Sequence, residues 1–258
     1  MLSNLIAGIM LVNSYWYQVP VATDPSYNSV TLLLHGDGAN NGTVFTDSSR
    51  YSNTVNVNGA SAGYTGGATC TSTAEKKFGT ASINCYPASV YSYLTVNLPS
   101  AAAFGTNNFT IEFWSYLTST TVSGGTVRIC GNYCNNNTFI GSGTWLIGLN
   151  GTAMQFAVWA GSVWANQPTS CTLNRWEHYA FVRSGQDMYS FINGVGTTHS
   201  NFFSQNYNVD GGTRLQVSIG NGSSGEWTPG YLDDFRITVG VARYTANFAP
   251  PTAAFPNQ

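Results

Sequence analysis

The feature of this sequence that most constrains its fold is a period of two that runs from Phe109 to Tyr116. In an extended chain, alternate residues point to opposite faces. One face carries Phe109, Ile111 and Phe113, and the other carries Thr110, Glu112, Trp114 and Tyr116. Because aromatic residues occur on both faces, we predict a central strand of a packed β-sandwich.

Hairpins extend this prediction to the rest of the chain. The apolar runs 145–149 and 154–159 flank Asn150-Gly151, whose residues readily take the positive φ angles of a two-residue turn. A second hairpin is expected from 176–183 and 188–192. We count about a dozen strand candidates and almost no helix, which indicates an all-β fold.

The composition limits the classes of binding partner that this sequence predicts. Only 8% of residues are charged and the net charge is −2, so there is no electrostatic case for binding nucleic acid or an anionic membrane. A surface that depends on hydroxyls and amides suits both subunit assembly and sugar binding.

The closing stretch from Tyr231 to Thr238 reads as another strand, and it contains two adjacent carboxylates. Strict alternation would place Leu232 and Asp234 on one face and Asp233 on the other with Phe235 and Ile237. Acidic residues within an apolar strand need a cation or hydrogen-bond donors. The tail at 247–251 contains Pro250-Pro251 and is expected to leave the sheet.

This closing stretch, together with 109–114, 176–183 and 189–194, resembles a laminin-G-like domain of the concanavalin A-like lectin/glucanase superfamily. It is most similar to the versions found in bacteriophage structural proteins. The resemblance covers roughly 31–251 and implies an antiparallel two-sheet β-sandwich, a jelly roll. We therefore divide the chain into an arm and linker (1–29) and a sandwich domain (30–258).

The arm contains an apolar run that is too short to span a bilayer and is preceded by no Lys or Arg. We expect it to dock on another subunit, although it could instead fold back on its own domain. Its candidate assembly residues are Leu5, Ile6, Ile9, Leu11, Tyr15, Trp16 and Tyr17.

Two kinds of binding site are candidates. In the family, the opening region passes near the closing strand, so calcium could be held by Asp37, Asp47, Asp233 and Asp234; Asp37 and Asp47 could instead cap turns. Sugar stacking could use the tryptophans at or beside loops, Trp159, Trp164 and Trp227, although most tryptophans pack in cores or interfaces.

No residue set predicts catalysis. A retaining glycosidase needs two carboxyls on one face, yet none of Glu75, Glu112, Glu177 and Glu226 has an acidic residue two positions away. Asp233 and Asp234 are adjacent and are therefore expected to face apart. His178 alternates with core residues and favours a structural role. For the cysteines, disulfides Cys70–Cys85 and Cys130–Cys134 and buried free thiols both stay open.

We therefore expect a non-enzymatic structural protein of a phage particle, made in the host cytoplasm and placed on the virion surface. It would be a capsid decoration (cement) or tail-associated subunit, in contact with other virion proteins and with further copies of itself. The alternative is a carbohydrate-binding adhesin domain of a tail fibre that recognises host glycans.

Overall fold

The computed structural model describes residues 23–58, 68–85, 92–122, 126–132, 145–158, 163–166, 170–203, 216–219 and 227–258. Within these ranges the chain forms strands and two short 3₁₀ turns, η1 (Tyr27–Ser29) and η2 (Ser100–Ala102). No helix among the described residues has the length and apolar character that crossing a membrane would require.

Fifteen strands are described. They are β1 (Val30–Leu34), β2 (Val55–Asn58), β3 (Cys70–Ser72), β4 (Ser82–Asn84), β5 (Tyr93–Asn97), β6 (Phe109–Leu117), β7 (Arg128–Gly131), β8 (Trp145–Asn150), β9 (Ala153–Val158), β10 (Val163–Asn166), β11 (Trp176–Ser184), β12 (Asp187–Ile192), β13 (Val195–His199), β14 (Gln216–Ile219) and β15 (Gly230–Val239).

The strands form two antiparallel sheets, which confirms the predicted fold class. The first sheet has the order β13-β12-β11-β6-β15-β4-β3, and β1 pairs with β15 outside this path. The second has the order β10-β9-β8-β7-β14-β5-β2. Both predicted hairpins are present, as β8–β9 and β11–β12. Strand β10 pairs with β9 at one edge of the second sheet.

The main core lies between the two sheets. It is rich in aromatic rings, such as Phe109, whose ring contacts those of Phe104 and Phe156, and Phe113, which stacks on Tyr179 and Phe235. Strand β6 supplies three of its fully buried core residues from alternate positions, as the sequence pattern predicted. Burying a side chain of this size contributes about 1.5–3 kcal/mol relative to leaving it exposed.

A second apolar layer covers the other side of the first sheet, which we call the outer face. Residues 240–258, the C-terminal segment, form no strand, so the tail leaves the β-ladder as predicted, and the segment crosses this face. Phe248 stacks on Tyr244 and contacts Phe191, and its N–H donates to the Gly194 carbonyl. At the far end of the segment, the Asp24 N–H donates to the Gln258 carbonyl at 2.9 Å. Asp24, which lies within the predicted linker, is thereby joined to the C-terminal segment.

The cysteines follow the thiol alternative where the structure describes both partners. Cys70 lies in β3 and Cys85 directly follows β4, the strand that pairs with β3, and both are buried free thiols. Burial raises the pKa of each thiol, so neither is a ready nucleophile. Cys134 lies outside the described residues, so its pairing stays a prediction.

Candidate functional site

A β-bulge in β15 decides where the adjacent aspartates point. Asp233 lies opposite Trp114 and Arg236 lies opposite Glu112, so one extra residue is accommodated between these pairs. Asp234 takes a positive φ of 46°, which absorbs the extra residue. As a result Leu232 and Phe235 both enter the main core.

The expectation that Asp233 and Asp234 face apart is therefore wrong, because alternation is interrupted at the bulge. Both carboxyls point to the outer face, and they are only 1% and 0% exposed. The bulge also marks the point where β15 changes partner from β4 to β1.

The two carboxyls have different partners. Asp233 Oδ2 accepts the N–H groups of Lys77 and Phe78 at 2.7 and 3.1 Å, while its buried Oδ1 accepts no hydrogen bond. Burial, with the neighbouring Asp234 charge, raises the pKa of Asp233 to about 7 against the pull of these N–H groups. Asp234 accepts from His35 Nδ1 and from the Phe255 N–H, both at 2.6 Å.

His35, which is hydrogen-bonded to the buried Asp234, borders a small pocket of about 160 Å³ that is also lined by Thr46 and Ser48. Burial would lower the pKa of His35, but the hydrogen bond and charge of Asp234 raise it overall. A His–Asp pair can serve as a base for a hydroxyl nucleophile. No hydroxyl of a described residue hydrogen-bonds to His35, and the His35–Asp234 hydrogen bond joins the residue after β1 to β15.

The proposed calcium ligands are not brought together as a cation site. Asp47 accepts five hydrogen bonds, from Leu33 N, Ser49 N and Oγ, and Asn53 N and Nδ2. Asp37 accepts from the Thr80 N–H and hydroxyl. Among the described residues, no three His, Cys, Asp or Glu side chains cluster as metal ligands. The capping alternative therefore describes the contacts of Asp37 and Asp47, and calcium binding by the four aspartates stays a prediction.

The outer face also holds a buried charge network that the sequence analysis missed. Glu112 Oε1 accepts from Arg236 Nε and Nη2 at 3.0 and 2.7 Å, and its Oε2 accepts from the Tyr244 hydroxyl at 3.0 Å. Asp24 accepts from Arg236 Nη1 at 3.0 Å and from Arg243 Nη1 and Nη2 at 3.0 and 2.7 Å. These contacts tie residues 23–29 and 240–258 to the centre of the sheet.

Electrostatics within the network favour the charged forms. Burial alone would raise the pKa of Glu112, but Arg236, His178 and Arg243 lower it to about 2. Arg236 also lies over the Phe255 ring, with 3.7 Å from its guanidinium carbon to the ring centroid. His178 is fully buried beside Trp114 and Phe248, in keeping with the predicted structural role. The charged groups of the network are paired with one another, so the network stabilises the fold.

Of the three tryptophans predicted to stack on sugars, only Trp227 has a described side chain, and it is buried. Trp227 is 7% exposed, so the expectation of an open ring at this position is corrected: the ring is enclosed by packing. For Trp164, which lies in β10, only the backbone is described. Trp159 and all seven arm residues from Leu5 to Tyr17 lie outside the described residues.

An open cleft of about 430 Å³ lies at one end of the sandwich. It is lined by the loop before β11 (Ser170, Thr172), the start of β11 (Arg175, Glu177) and the β12–β13 turn (Asn193, Val195). Asn193 and Gly194 take φ angles of 49° and 75°, and the Phe248 carbonyl occupies the space that a Cβ on residue 194 would need. The C-terminal segment thereby fixes the turn that forms one wall of the cleft.

An ion pair forms the floor of this cleft. Glu177 is 1% exposed, and its Oε1 accepts from Arg175 Nε and Nη2 at 3.0 and 2.5 Å. Its Oε2 accepts from the Thr172 N–H at 2.9 Å and the Tyr179 hydroxyl at 2.8 Å. The Arg175 side chain is 58% exposed, so its remaining donors face solvent. The cleft thus combines a fixed guanidinium, hydroxyls, an amide and exposed Val195. These groups suit a polar ligand with hydroxyl or anionic groups.

Comparison with known proteins agrees with this architecture. A laminin G model described as "Concanavalin A-like lectin/glucanases superfamily" matches residues 89–241. The chain belongs to this superfamily. No curated protein sequence matches this chain.

Several solved structures share the fold of this lectin/glucanase-type chain. The binding domain of botulinum neurotoxin serotype D has a TM-score of 0.57 at 12% identity, over 86% of this chain and 49% of that one. Domain 4 of AbnA, an arabinanase from Geobacillus stearothermophilus, was solved with arabinotriose and has a TM-score of 0.53 at 19% identity. The match covers 83% of this chain and 94% of that one. A structure of botulinum neurotoxin type C, a toxin whose cell entry depends on two ganglioside molecules, has a TM-score of 0.52 at 16% identity. The match covers 82% of this chain and 48% of that one. The chain spans about half the length of the toxin domains it matches.

Proposed function

We propose that this chain is a non-enzymatic, lectin-like binding module that takes up glycans in the cleft formed by Ser170, Thr172, Arg175, Glu177, Asn193 and Val195. The observation that carries the proposal is the cleft itself. Hydroxyl, amide and guanidinium donors converge there on an open volume beside an exposed apolar side chain. Sugar sites need this combination of polar groups that fix orientation and apolar contacts that follow the ring.

The fold neighbours support the proposal without deciding it. AbnA domain 4 was solved with arabinotriose, and its whole chain corresponds to this one more closely in length than the toxin domains do. Absence of turnover is part of the proposal, because Asp233 and Asp234 are buried and Glu177 is committed to its own hydrogen bonds.

The proposal predicts that Arg175→Ala weakens glycan binding at least about tenfold, since a charge-assisted hydrogen bond contributes about 1.5–3 kcal/mol. A glycan array followed by calorimetry on the best ligand would measure this. The matched control is Arg50→Ala, which removes an exposed arginine from the loop between β1 and β2 and should leave glycan binding unchanged. If the unaltered protein binds no glycan, or releases reducing ends from a polysaccharide, the proposal fails.

We propose further that the module works as a phage particle subunit on the virion surface, held by its N-terminal arm to other virion proteins or to further copies of itself. One feature of the sandwich favours a separable arm. The ionic network and the pairing with Gln258 begin at Asp24, which follows the arm residues in the chain.

Deletion of residues 1–17 should abolish incorporation into particles while the melting temperature changes by less than about 3 °C, because an arm that docks on another subunit adds no contact to its own core. Co-sedimentation with assembled particles and a thermal melt would measure the two effects. Normal incorporation of the shortened chain would contradict the proposed anchoring, and loss of folding would show that the arm packs on its own domain.

A further inference from the structure

The hydrogen-bond donors and acceptors of the cleft that Arg175 lines indicate a more specific ligand than a glycan in general. We infer that the cleft takes an acidic saccharide and that Arg175 and Asn193 recognise its carboxylate group. This inference rests on the proposed glycan-binding function and specifies its ligand.

The first step is that the cleft offers no unused carboxylate. Glu177 accepts two hydrogen bonds at Oε1 and two at Oε2, which fills the places that two carboxylate oxygens ordinarily offer in this geometry. Its donors come from Arg175, Thr172 and Tyr179, so a sugar hydroxyl would have to displace one of them. A neutral sugar, whose hydroxyls donate as well as accept, therefore finds no unused carboxylate acceptor here.

The second step is that the unused groups are mainly donors. Arg175 donates Nε and Nη2 to Glu177, whereas its Nη1 donates to no described residue, and the side chain is 58% exposed. Asn193 Oδ1 accepts the His178 N–H at 2.9 Å, which orients the amide and leaves Nδ2 as a donor. The Ser170 hydroxyl is already paired with Thr152 Oγ1 at 2.7 Å.

The third step is that these donors are held in place before a ligand arrives. The Arg175 guanidinium is anchored by two hydrogen bonds to a buried carboxylate, and Asn193 is fixed in the β12–β13 turn. Preorganised planar donors match a carboxylate, which only accepts. Val195, 61% exposed at the same cleft, supplies apolar contact for the carbon skeleton of the ring.

The test compares matched pairs of sugars on the full chain: sialyllactose against lactose, and a trigalacturonate against a neutral galactotriose. We expect the acidic member of at least one pair to bind roughly tenfold more tightly, as one charge-assisted hydrogen bond implies. The two pairs distinguish a sialic acid from a uronic acid as the source of the carboxylate.

Two variants locate the effect. Arg175→Gln should remove the preference for the acidic sugar. Asn193→Asp keeps the oxygen that accepts the His178 N–H, replaces the Nδ2 donor with a second carboxylate oxygen, and should weaken acidic sugars roughly tenfold while sparing neutral ones. Asn193→Asp alters one atom at a position where aspartate also tolerates positive φ, so it serves if Arg175→Gln does not fold.

The outcomes separate this inference from the proposed function. Equal binding of acidic and neutral sugars overturns the ligand class while glycan binding stands. An acidic preference that both variants leave intact overturns the assignment to this cleft. Failure of every sugar to bind overturns the glycan function and the inference together.

Discussion

Replacing Glu112 with alanine should lower the free energy of unfolding by about 3–5 kcal/mol, the range found when one partner of a buried ion pair is removed. Glu112 is fully buried and accepts from Arg236 and Tyr244. Without it, Arg236 keeps only Asp24 as a hydrogen-bonded acid. Urea unfolding at pH 7 measures the change. Glu75→Ala, which removes a half-buried glutamate, is the matched control and should shift stability by less than about 0.5 kcal/mol.

The same residue predicts an acid limit. The pKa of Glu112 is lowered to about 2 from its ordinary value of 4.5, so its contribution to stability is present above pH 4.5 and is lost as pH falls toward 2. Glu112→Gln keeps the side-chain volume and removes this pH dependence. A decline between pH 4.5 and 2 that is equally steep in Glu112→Gln and in the unaltered protein would show that other carboxylates dominate.

Asp233→Asn should stabilise the protein at pH 8 by about 1–4 kcal/mol while changing little at pH 4, since each unit of pKa shift corresponds to about 1.4 kcal/mol. Burial raises the pKa of Asp233 from 3.8 to about 7, so the folded state holds a proton that the unfolded state releases. The stability gained from that proton is present below pH 3.8 and is lost as pH rises through 7. Asparagine imitates the protonated form and avoids the loss.

The hydrogen bonds around Asp233 support this choice of variant. Asparagine Oδ1 can accept the Lys77 and Phe78 N–H groups that Asp233 Oδ2 accepts, and its amide takes the place of the unpaired Oδ1. Melting temperatures from pH 4 to 9 measure the effect. Asp187→Asn, at the β11–β12 turn, controls for the lost negative charge. Identical pH profiles for Asp233→Asn and the unaltered protein would mean that Asp233 is ionised in the folded state.

The strands with regular alternation could be predicted from the sequence, because pattern and structure share a period of two. Strand β6 and the hairpin at Asn150-Gly151 are examples. The bulge in β15 could not, since a single inserted residue leaves no mark in the pattern and yet turns Asp233 to the face of Asp234. That one residue also removes the geometric reason for expecting the two carboxyls to face apart.

The sites were harder to predict because they depend on register. Glu112 and Arg236 are 124 positions apart and meet only through the β6–β15 pairing. The cleft left a weaker signal: Arg175 and Glu177 are two positions apart, so an extended chain places them on one face. Trp227 shows the opposite case, since an aromatic residue beside a loop can be packed or open, and its 7% exposure reports packing.

The buried charge network has a practical consequence for anyone who wishes to express this domain in pieces. The region shared with other superfamily members, 89–241, includes Glu112 and Arg236 but omits Asp24, Arg243 and Tyr244. A fragment cut at those limits would keep the sheet-borne charges and discard the groups that neutralise and cover them. The smallest stable expression unit should therefore start by residue 23 and extend to residue 258, well outside the limits that sequence similarity suggests.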